Sequence, residues 1–197
     1  MRQFVMIGAV ILVAFAFGLW NLWPEPVLRP VSLPATPAPF VLTDSEGKSF
    51  TPRDLAGRWT WAYFVYTFCP DLCPNTLGLM QRAATGTGLP PDLQLVFISL
   101  DPARDKGDRL GEYAAFFEHG IRMATATQRE LRRLTDSIGV NYGRNNQDRG
   151  DRSYQVFHPS AVFIFGPDGR LHHIVEDPAR PEDVQQAMAV LAEGKNS

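Results

Sequence analysis

Continuous apolar runs are the clearest feature of the hydrophobic pattern of this chain. WTWAYFVY (59–66) and LQLVFISL (93–100) place apolar residues at consecutive positions, which is typical of strands buried on both faces of a sheet. A third run, AVFIF (161–165), is followed by GPDG and then by RLHHIV (170–175), which predicts a β-hairpin. Together these runs predict the central strands of one sheet.

The segments between these runs have helical patterns. TQRELRRLTDSIG (127–139) begins with a capping threonine, has Glu130 at the capping-box position and ends in glycine. Further helices are predicted over 51–57, 75–85, 105–118 and 181–194. Other predicted elements are a hairpin over 40–50, a strand over 122–126, an edge strand over 140–142 and a mobile surface loop over 144–153.

The order of these elements is strand, helix, strand, helix, then a strand-turn-strand unit and a last helix. This order predicts an α/β fold with parallel strands first and an antiparallel hairpin last. The thioredoxin architecture has this plan, here with an N-terminal hairpin extension. In such open sheets the chemistry lies beyond the carboxyl ends of the strands.

The N-terminus is predicted to be a membrane anchor. Residues 4–23 contain no charge and are long enough for a helix that crosses a hydrocarbon core of about 30 Å. The apolar stretch of a cleaved signal peptide is usually shorter and ends at a small-x-small site, whereas this one is longer and ends in Trp-Pro-Glu-Pro. Arg2 and the free amine favour a cytoplasmic N-terminus. We therefore expect a single-pass protein with an anchor over 1–23.

Proline and charge define the rest of the organisation. Residues 24–39 contain six prolines, which predicts an extended linker, and residues 40–197 then form one domain outside the cytoplasm. The net charge is −2 and the pI is about 6.1, and no basic stripe is present. The sequence therefore gives no reason to expect a nucleic-acid partner.

The candidate chemistry lies in YTFCPDLCPN (66–75), which contains both cysteines of the chain. A structural disulfide would close a loop of only five residues and would stabilise the fold little. A redox pair at a helix start is how thioredoxin-like oxidoreductases work, although those have C-x-x-C and this chain has C-x-x-x-C. A metal site is the third interpretation, and it needs a further ligand.

His158 is the best candidate for that ligand. It lies in VFHPSAVFIF, directly before the strand over 161–165, and in a thioredoxin-like fold this turn lies beside the cysteine turn. Two thiolates and one imidazole form a soft site that suits Cu(I) and holds Cu(II) with an added ligand, whereas structural zinc normally takes four ligands. The residues leave the redox and metal interpretations open.

Three blocks of the chain resemble the Sco/SenC family of membrane-anchored, thioredoxin-like copper proteins. They are WAYFVYTFCPDLCPNTL (61–77), VFISLDPARDKGDRLGEY (96–113) and FHPSAVFIFGPDGRL (157–171). The resemblance implies that Cys69, Cys73 and His158 bind copper. It also implies a metallochaperone, with no bond-forming catalysis, that delivers copper to the copper-binding subunit of a respiratory cytochrome c oxidase.

The predicted anchor and its orientation predict a location in the bacterial inner membrane, with the domain facing the periplasm or the equivalent extracytoplasmic side. Two alternatives remain, namely a thiol-disulfide oxidoreductase that reduces the cysteines of the oxidase copper site and a redox or copper sensor. The family usually has aspartate before the histidine and serine or threonine after it, whereas this chain has Phe157 and Pro159. The missing aspartate removes a possible partner of the histidine ligand.

Three aspartates are predicted to support the site rather than to bind metal. Asp71 lies between the cysteines, where we expect it to shape the charge of the site. Asp101 and Asp105 are expected to cap the 105–118 helix and to order the preceding loop, with Arg104 paired to one of them. Carboxylates are hard ligands, so they are poor partners for a soft cation beside thiolates.

Overall fold

The computed structural model describes residues 28–30, 36–69, 72–117, 120–145 and 154–193. For Cys73 and for some other residues at the ends of these ranges, only the backbone is described. The predicted anchor over 4–23 lies outside the described residues. Within the described ranges, none of the helices has the length and apolar character needed to cross a membrane.

The described strands and helices follow the α/β order that the sequence predicts. The strands are β1 (Leu28–Pro30), β2 (Leu42–Asp44), β3 (Ser49–Phe50), β4 (Thr60–Val65), β5 (Gln94–Ser99), β6 (Ile121–Thr125), β7 (Gly143–Asn145), β8 (Gln155–Phe157), β9 (Ala161–Phe165) and β10 (Leu171–Glu176). The helices are a short 3₁₀ helix (Pro52–Leu55), α1 (Leu72–Ala84), α2 (Asp108–Ala114), α3 (Gln128–Ser137) and α4 (Pro181–Glu193).

Among the described strands, eight form one mixed sheet in the order β1-β10-β9-β4-β5-β6-β2-β3. β4, β5 and β6 are parallel, and β9 pairs antiparallel with β4. Every residue of β4 is buried, as the apolar run predicts. The thioredoxin-like fold is therefore confirmed in this part of the chain, with β2 and β3 as the predicted N-terminal hairpin.

Part of the predicted linker belongs to this sheet. β1 pairs antiparallel with β10, with Pro30 opposite His173, although the density of prolines predicts no ladder pairing here. The prediction was wrong at this point because β1 is an edge strand. An edge strand uses the hydrogen-bonding groups of one side only, so it tolerates residues without an N–H.

Two predicted elements around the site need correction. The helix predicted over 105–118 covers only Asp108–Ala114, and the residue before it, Gly107, has φ +54° without a capping side chain. Asp105 therefore does not cap this helix. The edge strand predicted over 140–142 is absent from the described residues, and the next strand, β7, pairs with β8 outside the main sheet. Residues 144 and 145 of the predicted loop lie in β7, and 146–153 lie outside the described residues.

The core fills both faces of the central strands. Even-numbered residues of β4 and β5, such as Phe64 and Ile98, line a small internal cavity with Leu134 of α3. Helices α1 and α4 contact each other, and the Gln185 side chain donates to the Ala83 carbonyl oxygen at 3.0 Å. This packing fixes the position of β4, from whose carboxyl end the cysteine turn extends.

Candidate metal centre

The cysteine turn follows β4 at the edge where the parallel strands end. The Cys69 backbone N–H donates to the Tyr66 carbonyl oxygen at 3.2 Å, which closes a tight turn. The Cys69 side chain is half-buried and packs against the hydrophobic core. The Cys73 backbone lies in the first described turn of α1. Both cysteines therefore stand where the chain passes from strand to helix, as the sequence predicts.

His158 lies at the same end of β4. β9 pairs antiparallel with β4, with Val162 opposite Tyr63, so the segment that precedes β9 and contains His158 lies toward the end of β4 from which the cysteine turn extends. The imidazole ring meets the rings of Tyr63 and Tyr66 edge to face, with a centroid distance of 6.0 Å to each. These two tyrosines orient the imidazole beside the cysteine turn.

The surroundings of His158 favour one neutral tautomer. Burial lowers the pKa of His158 below its ordinary value of 6.5, so the ring is neutral at pH 7. Its Nδ1 atom lies 3.1 Å from the Pro159 carbonyl oxygen, which only accepts hydrogen bonds. We therefore assign the proton to Nδ1, which leaves the lone pair on Nε2. A neutral imidazole with a fixed lone pair is what a metal ion requires of a histidine ligand.

Asp105 holds the entrance to the cysteine turn. Its buried carboxylate accepts hydrogen bonds from the Thr67 backbone N–H at 2.7 Å and from the Thr67 hydroxyl at 2.6 Å. It also accepts from the Ser99 hydroxyl at 2.6 Å, and Arg109 donates to the Thr67 hydroxyl at 3.1 Å. Because Ser99 ends β5, one carboxylate joins two strand ends immediately before Cys69.

Asp101 holds the segment that leads to His158, as Asp105 holds the segment that leads to Cys69. Its buried carboxylate accepts from the Tyr154 hydroxyl at 2.6 Å and from Arg144 at 3.3 Å, and it forms an ion pair with Arg104. Burial, together with the adjacent Asp101 carboxylate, raises the pKa of Tyr154 above 10.0, so its hydroxyl remains a donor at neutral pH. Tyr154 lies four residues before His158 in the segment that contains β8.

Arg104 joins the two halves of the site. Its guanidinium carbon lies 3.7 Å from the centroid of the Tyr154 ring and 4.7 Å from that of the Phe68 ring. The same guanidinium donates to the Tyr154 carbonyl oxygen at 3.1 Å. Phe68 directly precedes Cys69, and Tyr154 lies in the segment that leads to His158. The Arg104 side chain therefore contacts both the cysteine turn and the segment that leads to His158.

The structure thus brings four of the predicted site residues to one edge of the sheet, namely Cys69, His158, Asp101 and Asp105. Asp71 lies outside the described residues. Among the described side chains, no three of the types His, Cys, Asp and Glu are grouped as ligands of one metal ion. The Cys73 side chain is not among the described side chains, so the predicted ligand set is described only for Cys69 and His158.

Sequence reasoning missed the side chains that bind these aspartates. Thr67, Ser99 and Tyr154 supply the hydroxyl groups, and none of the three was predicted from the sequence to have a role in the site. Ser99 is the last residue of β5 and Thr67 lies two residues after the end of β4, and a polar residue at such a position is a signal that it faces the site. Tyr154 follows a segment outside the described residues and has no such signal.

The histidines of the last hairpin do not lie in this site. The His172 Nε2 atom lies 2.8 Å from the Asp168 carboxylate, and the His172 ring contacts Trp59 edge to face. His173 is buried, and burial lowers its pKa below 6.5. His119 lies outside the described residues.

A polar cleft borders the helix that carries Cys73. Its volume is about 430 Å³, and its lining includes Thr76 and Arg82 of α1, Ser160, and the segment 177–179 before α4. Asp177 has φ +43°, an uncommon conformation for a residue other than glycine, and its N–H donates to the Ser160 carbonyl oxygen at 2.6 Å. Cys69 and His158 do not line this cleft.

Comparison with known proteins identifies a family over most of the chain. The sequence model of the family described as SCO1/SenC matches residues 31–193. A human relative, described as the mitochondrial protein SCO1 homolog, is 34% identical over 145 residues. That alignment covers 72% of this chain and 48% of the human protein, so the chain spans about half the length of this relative.

Solved structures share the fold. A crystal structure of Arabidopsis thaliana ScoI with copper bound has a TM-score of 0.70 and 27% sequence identity, and the match covers 83% of this chain and 100% of that chain. A crystal structure of yeast Sco1 with copper bound has a TM-score of 0.71 and 27% identity, covering 81% of this chain and 90% of that chain.

Proposed function

The chain belongs to the SCO1/SenC family, and from this premise we propose that it binds one copper ion and delivers it to the copper-binding subunit of a respiratory cytochrome c oxidase. Cys69 and Cys73 bind the ion as thiolates, and His158 binds it through Nε2. Copper is the cargo of this protein, and no covalent bond of a substrate is made or broken. Solved relatives from Arabidopsis thaliana and yeast are described with copper bound, which supports this cargo.

The observation that carries the proposal is the position of His158. Its neutral imidazole packs against the rings of Tyr63 and Tyr66, at the end of β4 from which the cysteine turn extends, and we assign its lone pair to Nε2. Thiolates and an imidazole are soft and borderline ligands, and together they favour Cu(I) over Mg²⁺ or Ca²⁺. A three-ligand set leaves room for a ligand of the acceptor. Copper then passes between the proteins by stepwise exchange of one ligand at a time.

Asp101, Asp105 and Arg104 act as positioning residues in this proposal. They hold Thr67 on one side and Tyr154 on the other, so the spacing between the cysteine turn and His158 is fixed before copper binds. Preorganisation of this kind is how partners beyond the ligands raise the affinity of a metal site. Asp71, between the two cysteines, belongs to the same proposal as a source of negative charge.

Membrane attachment is also part of the proposal. Residues 4–23 anchor the protein in the bacterial inner membrane, and the domain over 40–197 faces the periplasm, where the copper subunit of the oxidase is accessible. The support for this part is the uncharged apolar segment followed by six prolines in residues 24–39.

A second candidate function is thiol-disulfide exchange with the cysteines of the oxidase copper site. The polar cleft beside α1 favours it, because a cleft of about 430 Å³ one turn from Cys73 suits an extended segment of a partner. In that reaction one thiolate attacks a disulfide of the partner, and the second thiol resolves the mixed disulfide, which leaves Cys69 and Cys73 oxidised. This function requires both cysteines and does not require His158.

Competition titration with a Cu(I) chelator, under anaerobic and reducing conditions, distinguishes the two functions. We expect one Cu(I) per chain, and we expect His158→Ala to weaken binding by about 100-fold, since losing a ligand costs at least as much as losing its hydrogen-bond partner. His172→Ala is the matched control, because that imidazole pairs with Asp168 outside the site. Binding that is indifferent to His158 would contradict the metal site and leave thiol exchange as the better function.

A further inference from the structure

Two exposed phenylalanines flank the candidate metal centre. Phe68 is 45% exposed and directly precedes Cys69, while Phe157 is 56% exposed and directly precedes His158. The other large exposed apolar side chains in the described ranges are Val41, Phe116 and Val190. Aromatic side chains placed beside a functional site without cover are characteristic of a surface that another protein binds.

Both rings are held in place rather than loosely exposed. The Phe68 ring contacts the guanidinium groups of Arg104 and Arg109, whose central carbons lie 4.7 Å and 4.4 Å from its centroid. Phe157 lies opposite Gly143 in the β7–β8 pair, and a methyl group added at Gly143 would overlap the Phe157 ring. Side chains that are ordered before binding lose little conformational entropy when a partner covers them.

The charge beside these rings indicates the chemistry of the partner. Asp101 forms ion pairs with both Arg104 and Arg144, so its single negative charge does not neutralise the two guanidinium groups. Arg109 donates to the Thr67 hydroxyl, but none of the carboxylates in the described ranges forms an ion pair with it. An unbalanced guanidinium beside an exposed ring matches a carboxylate next to an apolar patch on the partner.

We propose that Phe68, Phe157 and Arg109 form a docking surface that binds the copper acceptor, through an apolar patch around the copper ligands of the acceptor and a carboxylate at the edge of that patch. This proposal rests on the proposed function, because it makes the acceptor the occupant. Contact on both sides of the site, beside Cys69 and beside His158, brings the ligands of the acceptor to the copper ion. Arg109 speeds the encounter by attracting the carboxylate.

The test measures association and copper binding separately. The full chain, purified in a mild detergent, is combined with the copper-free soluble copper-binding domain of the oxidase subunit from the same organism. Association rates and Kd are measured by biolayer interferometry at ionic strengths of about 0.02 and 0.15 M. The variants are Phe68→Ser, Phe157→Ser, Gly143→Ala and Arg109→Gln. Phe116→Ser is the matched control, since this ring is 82% exposed and follows the opposite end of α2 from Arg109.

We expect each phenylalanine variant to weaken acceptor binding by at least about 10-fold, as truncation of an anchor side chain does. Gly143→Ala keeps both rings but displaces Phe157, and it should weaken binding in the same direction. Arg109→Gln should slow association and reduce its salt dependence. Cu(I) titration of Phe157→Ser should show an affinity within about threefold of the wild type, and Phe116→Ser should bind the acceptor normally.

Each other outcome overturns a different claim. Unchanged acceptor binding by the phenylalanine variants, or an equal loss in Phe116→Ser, would overturn the docking surface while the copper-delivery function stands. Sedimentation velocity checks whether a second copy of the chain covers this surface. If the wild type is a dimer, and the phenylalanine variants are monomers that bind the acceptor normally, the surface belongs to the dimer interface and the proposal is overturned. Binding through this surface without copper transfer would support docking and contradict delivery. No association of the wild type with the acceptor would contradict both.

Discussion

Substitution of Asp105 tests whether buried hydrogen bonds set the geometry of the cysteine turn. It accepts three hydrogen bonds of 2.6–2.7 Å, two from Thr67 and one from Ser99. Replacing it with asparagine keeps the size and shape of the side chain. One oxygen still accepts, but the other becomes an NH₂ group that faces donors and accepts nothing.

The expected magnitude follows from that count. A hydrogen bond to a charged group contributes about 1.5–3 kcal/mol, and a buried donor left unpaired costs about 1–3 kcal/mol. Since a hydroxyl can rotate toward another acceptor, we expect Asp105→Asn to lower the free energy of unfolding by about 2 kcal/mol. Thr67 lies two residues before Cys69, so we also expect Cu(I) affinity to fall by about 10-fold, the lower end of what partners beyond the ligands contribute.

Urea unfolding of residues 24–197, followed by near-UV circular dichroism, measures the first quantity, and Cu(I) competition titration measures the second. Asp136→Asn is the control, because Asp136 is an exposed aspartate on α3. A loss below about 0.5 kcal/mol, the usual scale of surface substitutions, would refute the argument for stability. A loss of stability with unchanged copper affinity would show that the network supports the fold but does not position the cysteine turn.

Two further predictions concern pH. Burial tends to raise the pKa of Asp183, but backbone and side-chain hydrogen bonds from Arg180 and a backbone N–H of Ala179 lower it below 3.8 overall. The ionised Asp183 carboxylate, which caps α4, therefore stabilises the fold at pH values above its unfolded-state pKa. Asp183→Asn should lower the free energy of unfolding by about 1 kcal/mol at pH 6. The difference in stability between the wild type and this variant, measured by urea unfolding, should vanish as the pH falls through the folded-state pKa. His173 has its pKa lowered by burial, and its Nε2 is a buried atom without a hydrogen-bond partner in the described part of the chain. Its neutral form is the stable one, so the wild type should lose stability relative to His173→Leu as the pH falls from 7 to 5, and parallel pH profiles would contradict this reasoning.

The central strands and the last hairpin are predictable because their signals are local. An apolar run identifies β4 and β5 within a residue of their observed bounds, and the GPDG turn identifies β9 and β10. The capped helix α3 is equally local, since the Thr127 hydroxyl accepts from the Glu130 backbone N–H as the capping-box pattern predicts. In such segments the information lies in neighbouring residues.

The region around the site is less predictable because its partners are distant in sequence. Asp105 looks like a helix cap in its own segment, yet its hydrogen bonds go to Thr67, 38 residues earlier. Tyr154 contacts Asp101, 53 residues away. A local reading of such residues assigns them to the nearest helix, whereas the folded chain uses them to connect loops. This is why the helix predicted from residue 105 begins at Asp108.

The hydrogen bond between His158 and the Pro159 carbonyl oxygen explains how this chain tolerates its departure from the family pattern at Phe157 and Pro159. The family usually has an aspartate before the histidine, and its loss removes a possible acceptor for the imidazole N–H. In this chain the Pro159 carbonyl oxygen, 3.1 Å from Nδ1, accepts that hydrogen bond instead. In this chain a backbone carbonyl oxygen therefore favours the Nδ1–H tautomer of His158 without a charged partner. The position before His158 is then released from that role, and the exposed Phe157 there is available for contact with the acceptor.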